Sequence, residues 1–252
     1  MKGRNDTMTK KVFLGIGHGG SDPGAVANGF EEADLNLAIG LACCDELVRH
    51  GVNIKMSRKK DENDPLTDEI KECNAYNPDL AVDIHNNAGG GDGAEVFHYS
   101  GGGMSKTLAQ NINSAIVAIG QNSRGIKTKV NANGTDYFGF IRQTKAPAVI
   151  VECAFIDNKN DIKIIDTAAE QKTMGIAIAH GILKTLGIAI LATTTTKEET
   201  MKKDNTPDSY AKEAIEWAVK KGILAGDGKG DYKLHSEVTR QDALVFLYRA
   251  LK

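Results

Sequence analysis

Short apolar runs alternate along the chain with longer stretches in which apolar residues return every third or fourth position. Val12-Phe13-Leu14-Gly15-Ile16 is the first run, and it breaks into Gly17-His18-Gly19-Gly20-Ser21-Asp22-Pro23-Gly24. An apolar run that ends in glycines reads as a buried strand entering a tight loop. Leu35, Ile39, Cys43 and Leu47 then recur every four residues, with Ala38 and Ala42 beside them, which is the stripe of an amphipathic helix. Acidic Glu31, Glu32 and Asp34 suit its first turn, and Gly51 suits its end. Val52 to Arg58 alternates like a strand, so a βαβ unit with parallel strands is predicted.

The rhythm continues. Asp64-Pro65 and Asn77-Pro78 bracket a helix over Leu66 to Tyr76. Leu80-Ala81-Val82-Asp83-Ile84-His85 is a second apolar strand, and Asn86 to Gly93 is the loop after it. Ala94 to Tyr99 reads as a strand, and Ser105 to Ile119 as a helix with Leu108, Ile112, Ala115 and Ile119 on one face. Residues 120–137, rich in Asn, Gly and Thr, read as a long surface loop, and Phe138 to Arg142 as a short strand. Pro147 to Cys153 is a third apolar run, interrupted by Glu152 near its end, and Thr167 to Leu186 is a long helix. Helices alternating with largely apolar strands predict an α/β fold, a mostly parallel twisted sheet flanked by helices.

The pattern fades after Ile190. Residues 191–207, with four consecutive threonines, have little apolar content and read as a linker. Tyr210 to Lys221 reads as a helix, Gly222 to Gly228 as a turn, and Val238-Thr239-Arg240 leads into a second helix ending at Leu251. The expected organisation is a catalytic domain over 1–190, the linker, and a small helical C-terminal domain over 208–252 that buries little surface alone.

Composition narrows the function classes. With 33 acidic and 31 basic residues the net charge is -2, so no nucleic-acid partner is expected. The four cysteines, Cys43, Cys44, Cys73 and Cys153, contain no Cys-x-x-Cys pair, which argues against a cysteine zinc knuckle and a disulfide framework. The first eleven residues are basic, but no apolar signal region of adequate length follows, and Val12 to Ile16 is too short for a membrane span. The expectation is synthesis in the cytoplasm, with no membrane partner.

Gly15-x-Gly17-x-x-Gly20 formally matches a dinucleotide fingerprint. That motif needs a helix starting on its last glycines, whereas Ser21-Asp22-Pro23-Gly24 is turn chemistry. Sites in open α/β sheets lie beyond the carboxyl ends of the strands. Three strands here finish with His18, His85 and Glu152, and Glu32 opens a helix near the same edge. Two histidines and a carboxylate with a fourth position open to water make a catalytic zinc set, and a further glutamate can move protons. Residue types alone leave open which glutamate plays which part. Singly, each histidine has a duller reading as a hydrogen-bonded loop residue. His50, His98, His180 and His235 lack this context, and Arg58 and Arg142 read as surface charges rather than as partners of substrate carboxylates.

The four segments together resemble the zinc-dependent N-acetylmuramoyl-L-alanine amidases of the amidase-3 type. Gly17-His18-Gly19-Gly20-x-Asp22-Pro23-Gly24-Ala25, Glu32-x-Asp34-Leu35-Asn36-Leu37, Ile84-His85-Asn86-Asn87-Ala88 and Pro147 to Glu152 with Phe155-Ile156 look like the family's motifs, in the family's order. Asn86-Asn87 departs slightly from its third motif, and Asp83 stands where serine is common. The resemblance implies a Zn2+ ion held by His18, Glu32 and His85, with Glu152 as the catalytic carboxylate. It also implies cleavage of the peptidoglycan amide between N-acetylmuramic acid and L-alanine. The C-terminal segment, with Ala214-Ile215-Glu216-Trp217-Ala218 and Val238-Thr239-Arg240, is similar to a single S-layer-homology motif. That implies binding of a secondary cell-wall polymer and pairing of two copies. A wall-targeting tail without an export signal suits a phage endolysin that acts on the wall after release. The competing expectations are a zinc peptidase acting within the stem peptide and a non-catalytic wall-binding protein.

Overall fold

A computed structural model describes residues 9–191 and 212–224. The chain divides into two compact units, Met1–Leu191 and Ala192–Lys252. In the first unit the strands are β1 (Lys11–Ile16), β2 (Val26–Ala27), β3 (Phe30–Glu31), β4 (Asn53–Met56), β5 (Leu80–Asn87), β6 (Ala94–His98), β7 (Ser123–Lys127) and β8 (Ala148–Phe155). The helices are α1 (Glu32–Arg49), α2 (Leu66–Tyr76), α3 (Gly103–Ala118), α4 (Gly139–Gln143) and α5 (Ala168–Leu186). Six strands form one sheet in the order β4-β1-β5-β8-β6-β7. All its pairings are parallel except that of β6 with β8. The mostly parallel sheet flanked by helices is therefore as the apolar pattern predicts.

Strand periodicity assigns the two faces. Val12, Leu14 and Ile16 of β1, Leu80, Val82 and Ile84 of β5, and Val149 and Val151 of β8 join the large core with α1, α3 and α5. Alternate positions, Phe13, Ala81, Ala148 and Ile150, meet Ile70, Cys73, Phe140 and Ile141 of α2 and α4 in a smaller core. The helices of the large core pack closely through glycine. A β-carbon at Gly175 would lie 2.4 Å from the Ile39 carbonyl oxygen of α1, and one at Gly181 would lie 2.5 Å from Ile112 Cα of α3. A full capping box, Thr167 with Glu170, starts α5, and left-handed Gly187 ends it.

Two local expectations are corrected. Phe138 to Arg142 is not a strand: Gly139–Gln143 is a short helix, because adjacent Phe140 and Ile141 are both buried, which a half-buried strand does not allow. Residues 120–137 are not all loop, since Ser123–Lys127 pairs with β6 at the sheet edge. Edge strands carry polar and charged residues, and Ser-Arg-Gly-Ile-Lys hides its pairing for that reason. Around the predicted Asn28-Gly29 turn, β2 and β3 form a small antiparallel pair. In the second unit, α6 spans Lys212–Lys220, and Trp217 on it is half exposed. The predicted 191–207 linker, apart from Leu191, and the second C-terminal helix lie outside the described residues.

Candidate metal centre and active site

Three side chains from three elements meet at the carboxyl edge of the sheet. His18 follows β1, Glu32 opens α1, and His85 lies near the end of β5. One ligand atom from each lies within 4.8 Å of the other two, and no other such group of three or more occurs among the described residues. Glu32 sits between the imidazoles: its Oε2 is 3.2 Å from His18 Nε2 and its Oε1 is 3.0 Å from His85 Nδ1. The backbone N–H groups of Ala25 and Asn86 donate to the same two oxygens at 3.0 and 3.1 Å. The N-terminus of α1 adds favourable potential for the carboxylate. The far nitrogens are also engaged. His18 Nδ1 is 2.8 Å from Asp22 Oδ2, and His85 Nε2 is 3.3 Å from Asp83 Oδ2. Both near nitrogens point toward Glu32.

Glycines make the room. A β-carbon at Gly17 would lie 2.1 to 2.5 Å from three atoms of the His85 ring. At Gly24, φ is +66°, and a β-carbon would lie 2.6 Å from His18 Cδ2 and 2.8 Å from Glu32 Oε2. His18 itself has φ 64°, a left-handed conformation uncommon for a side-chain-bearing residue. Paired backbone bonds between Gly19 and Asp22, 2.8 and 3.1 Å, lock that turn.

Glu152 stands beside His85. The two are register partners on β8 and β5, and Glu95 of β6 is the partner of Glu152 on its other side. The three side chains therefore share one face of the sheet at the carboxyl edge of β5 and β8. Glu152 Oε2 is buried without a hydrogen-bond donor. Burial pushes its carboxyl up to about 7; the nearby His85 charge opposes this, and Glu32, Asp83 and Glu95 add to it. Glu95 is held low instead, because bonds from Lys127 and Arg124 outweigh its burial.

The centre is short of positive charge. Burial would raise Glu32, but bonds from His18 and His85 hold it far below the usual carboxylate range. The bond to Glu32 raises His18 against the effect of burial, and Asp22 adds to the rise. Burial would lower His85, but Asp83, Glu32 and Glu152 raise it well above the ordinary value. A bound cation satisfies the same carboxylates without those protons. Two imidazoles and one carboxylate within reach of one another are the donor set of a catalytic zinc site, so these residues fit that ion. A cleft of ≈ 550 Å³, lined by His18, Asp22, Asp64, Asp83, His85 and Phe138 among others, opens beside them.

Arg58 is a correction. It is not a surface charge but 2% exposed. Its guanidinium donates to the carbonyls of Ile16 at 3.0 Å, Gly17 at 3.2 Å and Ala33 at 2.7 Å, bracing the turn that carries His18 against the start of α1. Removing it strands buried acceptors, so Arg58→Met is expected to lower unfolding stability by about 3 kcal/mol, read by denaturant titration of the metal-free protein. A loss within error would show that the carbonyls find other donors. Arg142 of α4 is exposed and donates to the carbonyls of Asp136 and Tyr137 in the segment before that helix. His50 and His180 gather on Glu46, and His98 lies against the Tyr99 carbonyl. His235 lies outside the described residues. Sequence reasoning missed Asp22 and Asp83 as histidine partners. Both were legible: Asp22 closes the glycine turn, and Asp83 precedes His85 by two on a strand, hence on the same face. Nothing in the pattern marked Arg58.

Residues 12–184 match the amidase-3 family model, described as N-acetylmuramoyl-L-alanine amidase, and residues 203–244 match the S-layer homology domain. The N-acetylmuramoyl-L-alanine amidase CwlM of Bacillus licheniformis is 33% identical over 183 residues, 71% of this chain and 70% of that protein. The endolysin of Bacillus phage SPP1 is 34% identical over 190 residues, 72% of this chain and 68% of that protein. Among solved structures, Cwp6 from Clostridium difficile superposes with a TM-score of 0.70 at 38% identity, covering 71% of this chain and 29% of that one. With the family model matched from β1 into α5, the chain belongs to the N-acetylmuramoyl-L-alanine amidase family.

Proposed function

We propose that His18, Glu32 and His85 hold a zinc ion and that Glu152 moves the proton in cleavage of the amide between N-acetylmuramic acid and L-alanine. The observation that carries this reading is the convergence of His18 Nε2 and His85 Nδ1 on the Glu32 carboxylate, with Glu152 in register beside His85. Zinc bound there supplies Lewis acidity, lowering the pKa of water and polarising a carbonyl oxygen. Asp22 holds the outer nitrogen of His18, and Gly17 and Gly24 leave space for the rings and for Glu32. Glu152, sealed from solvent at Oε2 and raised toward neutrality, takes a proton from the attacking water and returns it to the departing alanine amine. One carboxyl, raised by burial above the ordinary carboxylate range, serves both transfers.

The amidase acts on the cell wall. Among the described residues, no helix is long and apolar enough to cross a membrane. Within the proposal, 1–190 is the catalytic domain, 191–207 the linker, and 208–252 the unit that binds a secondary wall polymer. Pairing of two copies through that unit raises its avidity. Metal analysis of the purified protein tests the centre. One zinc per chain is expected, with Glu32→Ala largely empty after dialysis. A wild-type protein that holds no zinc after incubation with the ion, or a Glu32→Ala variant that keeps it, contradicts the assignment.

A further inference from the structure

Beneath His85 lie two buried acids that the proposed reaction leaves unused. Asp83 is two residues before His85 on β5, so both side chains stand on the α2 face of the sheet. Asp83 is 3% exposed, and its Oδ2 is 3.3 Å from His85 Nε2. Glu69 of α2, 4% exposed, reaches the same place from the other side. Its Oε1 and Asp83 Oδ1 meet over Gly15, where a β-carbon would lie 1.9 Å from the first and 2.8 Å from the second. Both oxygens are sealed from solvent, and neither has a hydrogen-bond donor. Buried polar atoms left this way are rare in folded proteins, so their presence next to a candidate ligand calls for a role. Metal-bound histidines are commonly oriented by a carboxylate on the nitrogen that does not face the metal.

We infer that Asp83 is a positioning residue that grips His85 through Nε2 and keeps Nδ1 turned toward Glu32, with the buried Glu69 carboxyl of α2 next to it shaping its surroundings. This rests on the zinc reading above. The line His85–Asp83–Glu69 connects the centre to the side of α2, and the missing side chain at Gly15 lets it pass β1. Gly15 is thus explained by the two carboxyl groups it accommodates, as Gly17 is by the His85 ring.

The test uses the full chain carrying Asp83→Ser, Asp83→Asn or Glu69→Ala. Zinc affinity is measured by competition with a chromophoric chelator, the centre is probed by the visible spectrum of the cobalt-substituted protein, and the metal-free protein is melted. Asp83→Ser is expected to weaken zinc binding about 10- to 100-fold and to shift the cobalt bands. Asp83→Asn keeps an acceptor oxygen and recovers part of that loss, while Glu69→Ala weakens zinc less than Asp83→Ser does. A merely structural role moves the melting temperature but leaves metal affinity and the cobalt spectrum alone, and that result overturns the inference. If Asp83→Ser does not fold, Glu69→Ala decides, and wild-type zinc affinity there overturns it. A wild-type chain that binds no zinc overturns the zinc reading itself, a result separate from any variant.

Discussion

Glu152→Gln is expected to lower kcat for amide cleavage about a thousandfold while zinc stays bound. The substitution keeps the size and burial of the side chain but removes its ability to take a proton. Glu152 is not one of the three clustered ligands, so metal content is expected to match wild type. The pH profile carries the same signature. A base works when deprotonated, so activity rises with pH as Glu152 loses its proton. Its carboxyl is pushed up from the ordinary 4.5 to about 7, chiefly by burial. The added positive charge of a bound zinc draws that limb back, between the two values. Wild type is expected to show a one-proton ascending limb in this window, and Glu152→Gln to lose it along with the turnover. A Glu152→Gln enzyme with wild-type kcat, or one that lacks zinc, contradicts the role assigned to Glu152.

Gly17→Ala is expected to lower activity about a hundredfold, the scale of an ångström's misplacement at a catalytic centre. Gly17 does not have a positive φ, so alanine fits its backbone, and the conflict is with space alone. The new methyl would lie 2.1 to 2.5 Å from His85 Cε1, Nε2 and Nδ1, so the ring must move away from Glu32 and Asp83. Zinc affinity is expected to fall with activity, because the displaced ring carries one of the three proposed ligand atoms, two histidine nitrogens and a Glu32 oxygen. Measuring both on the same preparation separates this from loss of fold, which the melting of metal-free protein reports. Wild-type activity and affinity in Gly17→Ala would show that the ring is not confined as described.

The same period-two logic explains what could be read from the chain. Short apolar runs identified β1, β5 and β8 as buried strands, and the period of two within them also fixed, without being used that way, that Gly15 and Gly17, Asp83 and His85, and Ile150 and Glu152 share one face. The four clustered motifs were legible because strand ends in a parallel sheet lie at one edge. Arg58 was not, because a charged residue after a strand looks the same whether it reaches into solvent or under a loop. Its burial depends on the carbonyls of Ile16, Gly17 and Ala33 being brought together by the fold. The β7 edge strand was hidden by its polar sequence, and α4 by a segment too short to show a helical period. Asp83 was noticed only as a departure from the resembling family, and its contact with His85 gives that departure a physical meaning.

The central claim is that a zinc centre built on His18, Glu32 and His85 cleaves the bond between the lactyl group of N-acetylmuramic acid and L-alanine. The most direct measurement uses purified Gram-positive walls and the chelated protein, with zinc added back and new amino termini identified. The account predicts no cleavage by the chelated protein, restoration by zinc, and L-alanine as the new terminus. Cleavage that survives chelation, or new termini other than L-alanine, would contradict it.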